Sequence, residues 1–139
     1  MANGFASFTK QLEEFTKKAD EAMTNTFRDI VVDVGGKLIT FSPVLTGRFR
    51  GNWQMSVGSP STQSLVTEDK EGTATLAQLR IMAATLHPGE VAWIVNNLDY
   101  GKNVEFLGWQ VTPPYQPVRR TLAEFEAIAN EAIARNKVK

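Results

Sequence analysis

From Ser7 to Leu38 apolar residues recur every three or four positions: Phe8, Leu12, Phe15, Ala19, Met23, Phe27, Ile30, Val34 and Leu38. That spacing paints one face of an amphipathic helix, with Glu13, Glu14, Lys17, Lys18, Asp20 and Glu21 on its solvated side. A helix over 7–38 would be about 45 Å long, which is long for a small domain. Thr24-Asn25-Thr26 is the candidate break in it, and Gly35-Gly36 the candidate end. Phe41 to Trp53 contains Pro43, Gly47 and Gly51 and is predicted to be a structured loop or a short turn of helix. Trp53 to Val57 alternates apolar and polar, as a half-buried strand does. Gly58 to Gly72, rich in Ser, Thr, Pro and acids, has no period and is expected to be a mobile loop.

Helical spacing returns from Thr73 to Leu86 with Leu76, Leu79, Met82, Ala83 and Leu86, until His87-Pro88-Gly89 stops it. Glu90 to Asn96 reads as a second strand, with Val91, Trp93 and Val95 on one side. Asn97-Leu98-Asp99 turns the chain into a short segment through Tyr100, Val104 and Phe106. Gly108 to Pro117 holds three prolines and should be extended and irregular. Pro117 suits the first position of a helix, where its missing N–H costs nothing. That helix is predicted over 117–136, with Val118, Leu122, Phe125, Ala129 and Ala132 as its apolar stripe.

The expected fold is α+β: a small antiparallel sheet packed by helices, with a long N-terminal helix and a C-terminal helix. Residues 1–139 form one domain, with the helix 7–38, an α+β core over 41–117 and the helix 117–136. A sheet this small needs helices to cover it. Fifteen basic and fifteen acidic residues give zero net charge, which argues against a duplex-DNA binder. There is no cysteine, so disulfides, thiolate zinc sites and cysteine nucleophiles are excluded. The opening Met1 to Phe5 carries no apolar core of signal-peptide length, and no run reaches the roughly 18 apolar residues of a membrane span. The expectation is a soluble protein made in a reducing cytosol.

Catalytic residue types are scarce. His87 is the only histidine, so a general base would be this residue or a carboxylate. Its place in a helix-ending turn favours contact with the last carbonyls of that helix. Gly35-Gly36-Lys37 lacks the remaining residues of a phosphate loop, because Leu38 follows the lysine and Val31 stands where the first glycine belongs. Asp29 and Asp33, four apart, could touch a cation or simply face solvent. No catalytic, cofactor or metal residues are therefore assigned. Arg48 and Arg50 flank Phe49 beside Trp53, a cluster able to grip nucleic acid or to line a subunit interface. Tyr100 to Trp109 reads equally as a binding segment or as core plus turn.

Three short motifs in order sharpen this picture. Ser42 to Trp53, reading SPVLTGRFRGNW, resembles the PVxTGxFRxxW signature of tailed-bacteriophage neck and tail-completion proteins. Asn96 to Gly101 resembles that family's NNxxYA turn, and Val104 to Trp109 the stretch that follows it. Pro113 to Arg135 resembles its proline segment and final helix. The resemblance implies a virion structural protein at the head–tail junction or tail end, not an enzyme, forming a ring of six or twelve copies that joins tail to head. It implies contacts with portal-side, neck or tail proteins, proximity to genomic DNA, no membrane and no cofactor. It also implies residence in the virion after synthesis in the host bacterial cytoplasm. Arg48, Arg50, Trp53, Tyr100, Glu105 and Trp109 are the expected partner or subunit contacts. The alternative is a nucleic-acid-associated accessory protein using Arg48, Arg50, Arg119 and Arg120. A third is a small enzyme relying on His87 and a carboxylate.

Overall fold

A computed structural model describes residues 2–138. The first helix, α1, runs Ala2–Thr40 without interruption. Neither the break at Thr24 to Thr26 nor the end at Gly35-Gly36 occurs. The Thr24 and Thr26 hydroxyls donate to the carbonyls of Asp20 and Ala22, at 2.9 and 2.7 Å. Bonded four residues back along the helix, these side chains no longer compete with its ladder. Gly35 sits inside the helix for a packing reason. A Cβ there would lie 2.6 Å from Leu79 Cδ1, so the glycine opens the space that a second helix fills. It gives up about 1 kcal/mol of helix propensity, offset by the burial of Leu79.

The second helix, α2 (Thr73–Ala83), presses Leu79 and Ala83 into the core, followed by Leu86 from the turn beyond it. This is the stripe read from the sequence. Strands β1 (Gln54–Val57) and β2 (Ala92–Val95) pair antiparallel, with Met55 opposite Ile94 and Val57 opposite Ala92. The fold is thus α+β as expected. The inward face of β2 differs from the reading that grouped Val91, Trp93 and Val95. Ala92 and Ile94 pack on the core, while Val91 and Trp93 are exposed. Register decides this: Ile94 must share a face with the buried Met55, and strand side chains alternate.

The expected C-terminal helix is two: α3 (Pro117–Ala123), opened by its proline, and α4 (Phe125–Arg135), hinged at Glu124. Their buried face is Pro117, Thr121, Ile128 and Ala132; Val118, Leu122 and Phe125 are exposed. Thr121 can enter the interior because its hydroxyl donates to the Pro117 carbonyl at 2.7 Å. Helices α2, α3 and α4 all pack on α1, beyond Lys18; every residue from Gly4 to Lys18 is exposed. Asp29 and Asp33 both face a guanidinium from the far end of the chain. They hold Arg135 at 3.6 and 2.7 Å, and Asp29 also accepts from the Asn136 amide at 2.8 Å.

The 58–72 loop has no regular structure, yet it is tied down rather than loose. Gln54 donates to the Gln63 carbonyl, and the Asn97 amide donates to the carbonyls of Ser61 and Gln63. Asparagine and glutamine side chains supply the partners that a neighbouring strand would have given. At its end Asp69 accepts from the amides of Gly72 and Thr75 and from the Thr75 hydroxyl, the last at 2.7 Å, and so caps α2. Partial burial alone would raise the Asp69 pKa; the hydrogen bonds from Thr75, Gly72 and Ala74 outweigh it and hold the carboxyl below its ordinary 3.8.

A folded-state pKa below the unfolded one means stability that is present above the unfolded value and lost as pH falls through the folded one. Asp69→Ala should therefore cost about 1–2 kcal/mol at neutral pH, the size of a lost helix cap. The gap from the parent chain should shrink as pH drops below about 4. Urea melts at several pH values measure both; a gap that widens in acid contradicts the assignment.

Candidate functional site

The residues picked out by sequence occupy two different settings. The first is a knot built by the segment Ser42 to Trp53. Gly47 takes a positive φ of 85°, and a Cβ there would fall 2.4 Å from Lys70 N and 2.7 Å from Asp69 N, so only glycine fits this crossing. Its carbonyl accepts from both Gly51 and Asp69 at 2.9 Å. Asn52 is wholly buried (0% exposed). Its amide nitrogen donates to the Arg48 and Leu65 carbonyls at 2.7 and 2.9 Å, and its oxygen accepts from Leu65 N at 2.7 Å. One side chain thereby acts as a rung of sheet between the signature segment and the 58–72 loop.

Arg50 is spent in the same place. Its guanidinium donates to the carbonyls of Thr40, the last residue of α1, of Ser42 just beyond it, and of Lys70, the last at 3.0 Å. A cation over a helix C-terminus is well placed against the dipole. Arg48 Nε donates to the Leu65 carbonyl at 3.2 Å. Trp53 is 6% exposed, and its indole donates to Ser42 Oγ at 2.8 Å, which in turn donates to Leu38. Phe49 lies edge-on to Trp53, with ring centroids 5.8 Å apart, and at the same distance from Tyr100. The Asn96 amide closes the assembly by donating to the Phe49 carbonyl at 2.8 Å. The first two sequence motifs therefore interlock.

Trp53 and Glu105 were expected at a partner surface, and burial removes both from one. Glu105, 7% exposed, sits in a π-helical turn over Asn103–Leu107 and accepts from Val118 N at 2.6 Å, Arg119 N at 3.4 Å and Arg119 Nε at 3.1 Å. It is the counter-charge at the start of α3, where exposed amides favour a carboxylate. Arg48 and Arg50 are half-buried, and their guanidinium groups donate to backbone carbonyls of the same chain. The four arginines of the nucleic-acid reading do not form a free basic stripe. Arg119 is paired with Glu105 and lies over the Phe106 ring at 5.1 Å, and Arg120 lies over Phe41 at 4.0 Å.

The second setting is the surface beside this knot. Tyr100 and Trp109 are exposed, as are Phe106 of the same segment, Leu122, which was read as part of an apolar stripe, and two residues that sequence reasoning passed over, Leu107 (70% exposed) and Val111 (92% exposed). A cleft of about 890 Å³ is lined by Asn97, Asp99, Lys102, Phe106, Val118 and Leu122 among others. Leu107 and Val111 flank Gly108 in a stretch without periodicity, and that was the available signal. An apolar residue belonging to no helix stripe or strand face has nothing internal to pack against.

His87 is exposed in its turn, and its amide donates to the Glu90 carboxylate at 2.7 Å. The carbonyl of Leu86 is taken by Arg28 Nε, not by the histidine. Among the described residues no three His, Cys, Asp or Glu side chains gather as a metal site, and no helix is long and apolar enough to cross a membrane. No family model, curated protein or solved structure matches the chain.

The knot makes a sharp claim about stability. Asn52→Ala strands Leu65 N and frees two carbonyls, so a loss of about 2–4 kcal/mol is expected, beyond one ordinary hydrogen bond. Arg48→Ala combined with Arg50→Ala should also lower the melting temperature. Arg50→Lys should restore little, since an ammonium cannot fork onto three separated carbonyls. Thermal melts of the purified variants test this, and an unchanged double-alanine melt would return the arginines to the surface.

Proposed function

We propose that this chain is a virion structural protein of a tailed bacteriophage, a ring-forming subunit at the head–tail junction or tail end, and not an enzyme. The observation that carries the reading is the ordered set of motifs at Ser42–Trp53, Asn96–Gly101 and Val104–Trp109, of which the first two interlock through Phe49, Asn96 and Tyr100. A motif that holds together a scaffold is what a structural subunit would retain. Polar groups at this knot are satisfied by one another, which leaves none poised for proton transfer.

A closed ring needs heterologous contacts, one patch meeting a different patch on the neighbour. The exposed apolar residues of this stretch of chain, Tyr100, Phe106, Leu107, Trp109 and Val111, are the ones we assign to contact with a neighbouring subunit or neck protein. Large exposed aromatic and aliphatic groups match the composition of an interface centre. The nucleic-acid reading loses ground because its arginines are already paired or stacked within the chain.

Leu107→Asp with Val111→Asp should leave folding intact, since both side chains are exposed, and should abolish the joining of heads to tails in vitro. The parent melting temperature must be retained for the result to count. Wild-type levels of joining by the doubly charged variant, or a virion map without this chain at neck or tail end, would overturn the reading.

A further inference from the structure

Strands β1 and β2 pair only with each other, so each keeps one outer edge. The register fixes which backbone groups lie on those edges. Gly58 N donates to the Val91 carbonyl at 2.8 Å, which makes these two a hydrogen-bonded pair. In an antiparallel ladder such pairs alternate with unbonded ones, so Ser56 with Trp93 and Gln54 with Val95 carry the ladder. Met55 and Val57 on β1, and Ala92 and Ile94 on β2, therefore turn their N–H and C=O groups away from the partner strand. Among the described residues no other backbone group bonds to them.

Both edges also lack the devices that usually blunt an open strand. Gln54–Val57 and the run from Val91 to Val95 contain no charge and no proline, and their register has no bulge. Each strand borders open space. A cleft of about 400 Å³ is lined by Gln54, Met55 and Ser56 among others, and Ile94 and Val95 help to line the cleft of about 890 Å³.

We propose that the sheet continues from copy to copy, the β2 edge of one chain pairing antiparallel with the β1 edge of the next. Backbone complementarity selects this occupant. Each edge offers N–H and C=O groups at alternate residues, about 7 Å apart. Another extended strand answers that pattern, whereas a helix has its backbone bonded to itself. The two edges are different patches, as a heterologous contact requires. Copies related by rotation about an axis along their strands keep every strand's direction. Under that operation β2 meets the next β1 antiparallel, as it meets its own. Pairing β2 with β2 needs a twofold axis instead and stops at two copies. The contact deepens the ring reading and rests on it for closure alone. It also strengthens the sheet itself, since two strands are marginal in water and a longer series is not.

Proline supplies the test, because it removes an N–H that the internal ladder does not use. Ala92→Pro blocks the β2 edge and Val57→Pro the β1 edge, at positions that face each other at the end of the sheet. In sedimentation the parent chain should associate reversibly beyond the dimer as its concentration rises. Each variant alone should remain a monomer. An equimolar mixture should give dimers and nothing larger, since each variant supplies the edge that the other lacks. Amide exchange of the parent chain gives a reading that needs no variant. In dilute solution Met55, Val57, Ala92 and Ile94 should exchange roughly tenfold or more faster than Ser56, Trp93 and Val95, and slow by a similar factor on association. A parent chain that stays monomeric at its highest attainable concentration overturns the proposal. So does either variant associating alone as the parent does, or protection of those outward amides in the dilute chain. Edge-dependent association supports the contact whether or not the chain is found in a virion.

Discussion

A buried amide brings two donors and two acceptor lone pairs into a place without water, and the fold around Asn52 is organised to meet that demand. Arg48 and Leu65 must present their carbonyls to it, and Leu65 its N–H. Those three bonds pull the 58–72 loop against the signature segment, and the loop then delivers Asp69 to the start of α2. The α2 helix fits against α1 only because Gly35 has no side chain. The chain of dependence runs from one polar group to the packing of two helices. It explains why so small a domain tolerates a two-stranded sheet, which alone would be marginal in water.

Satisfying this knot consumes functional-looking chemistry. Arginine beside tryptophan and phenylalanine is a combination often met at binding surfaces, and here it closes the end of a helix. Arg50 reaches carbonyls from Thr40, Ser42 and Lys70, and Glu105 performs the mirror task at the beginning of α3. Large apolar side chains instead stand exposed at the turn around Leu107 and Val111 and, beside charged residues, on the outer half of α1. The residues that hold the domain together and those free to meet other molecules are therefore largely separate sets.

Element order and type were legible in the sequence, because periods of three to four and of two survive in α1, α2 and both strands. The errors have specific causes. Gly35-Gly36 read as a helix end because propensity was weighed without the neighbour that requires a missing Cβ. Val118, Leu122 and Phe125 read as a core stripe, although a self-bonded Thr121 occupies the interior there. The 58–72 loop read as mobile because its anchors, Asn52, Gln54 and Asn97, lie outside it. The motifs themselves were visible; that they point inward was not, since hydrogen bonds to backbone carbonyls leave no trace in composition.

The two ends of the described chain are fastened to each other in a way that sets its timetable. Asp29 on the first helix is gripped by Arg135 and Asn136, the latter 107 residues later, and α4 covers α1 along this contact. Closing so large a loop comes late, because its entropy must be spent before the contact returns anything. During synthesis α1 emerges first and waits, its body-facing side as bare as its outer half, until the last helix arrives. For that interval a nascent chain offers two apolar faces where the finished domain offers one, and copies made side by side on one messenger are each other's nearest surface.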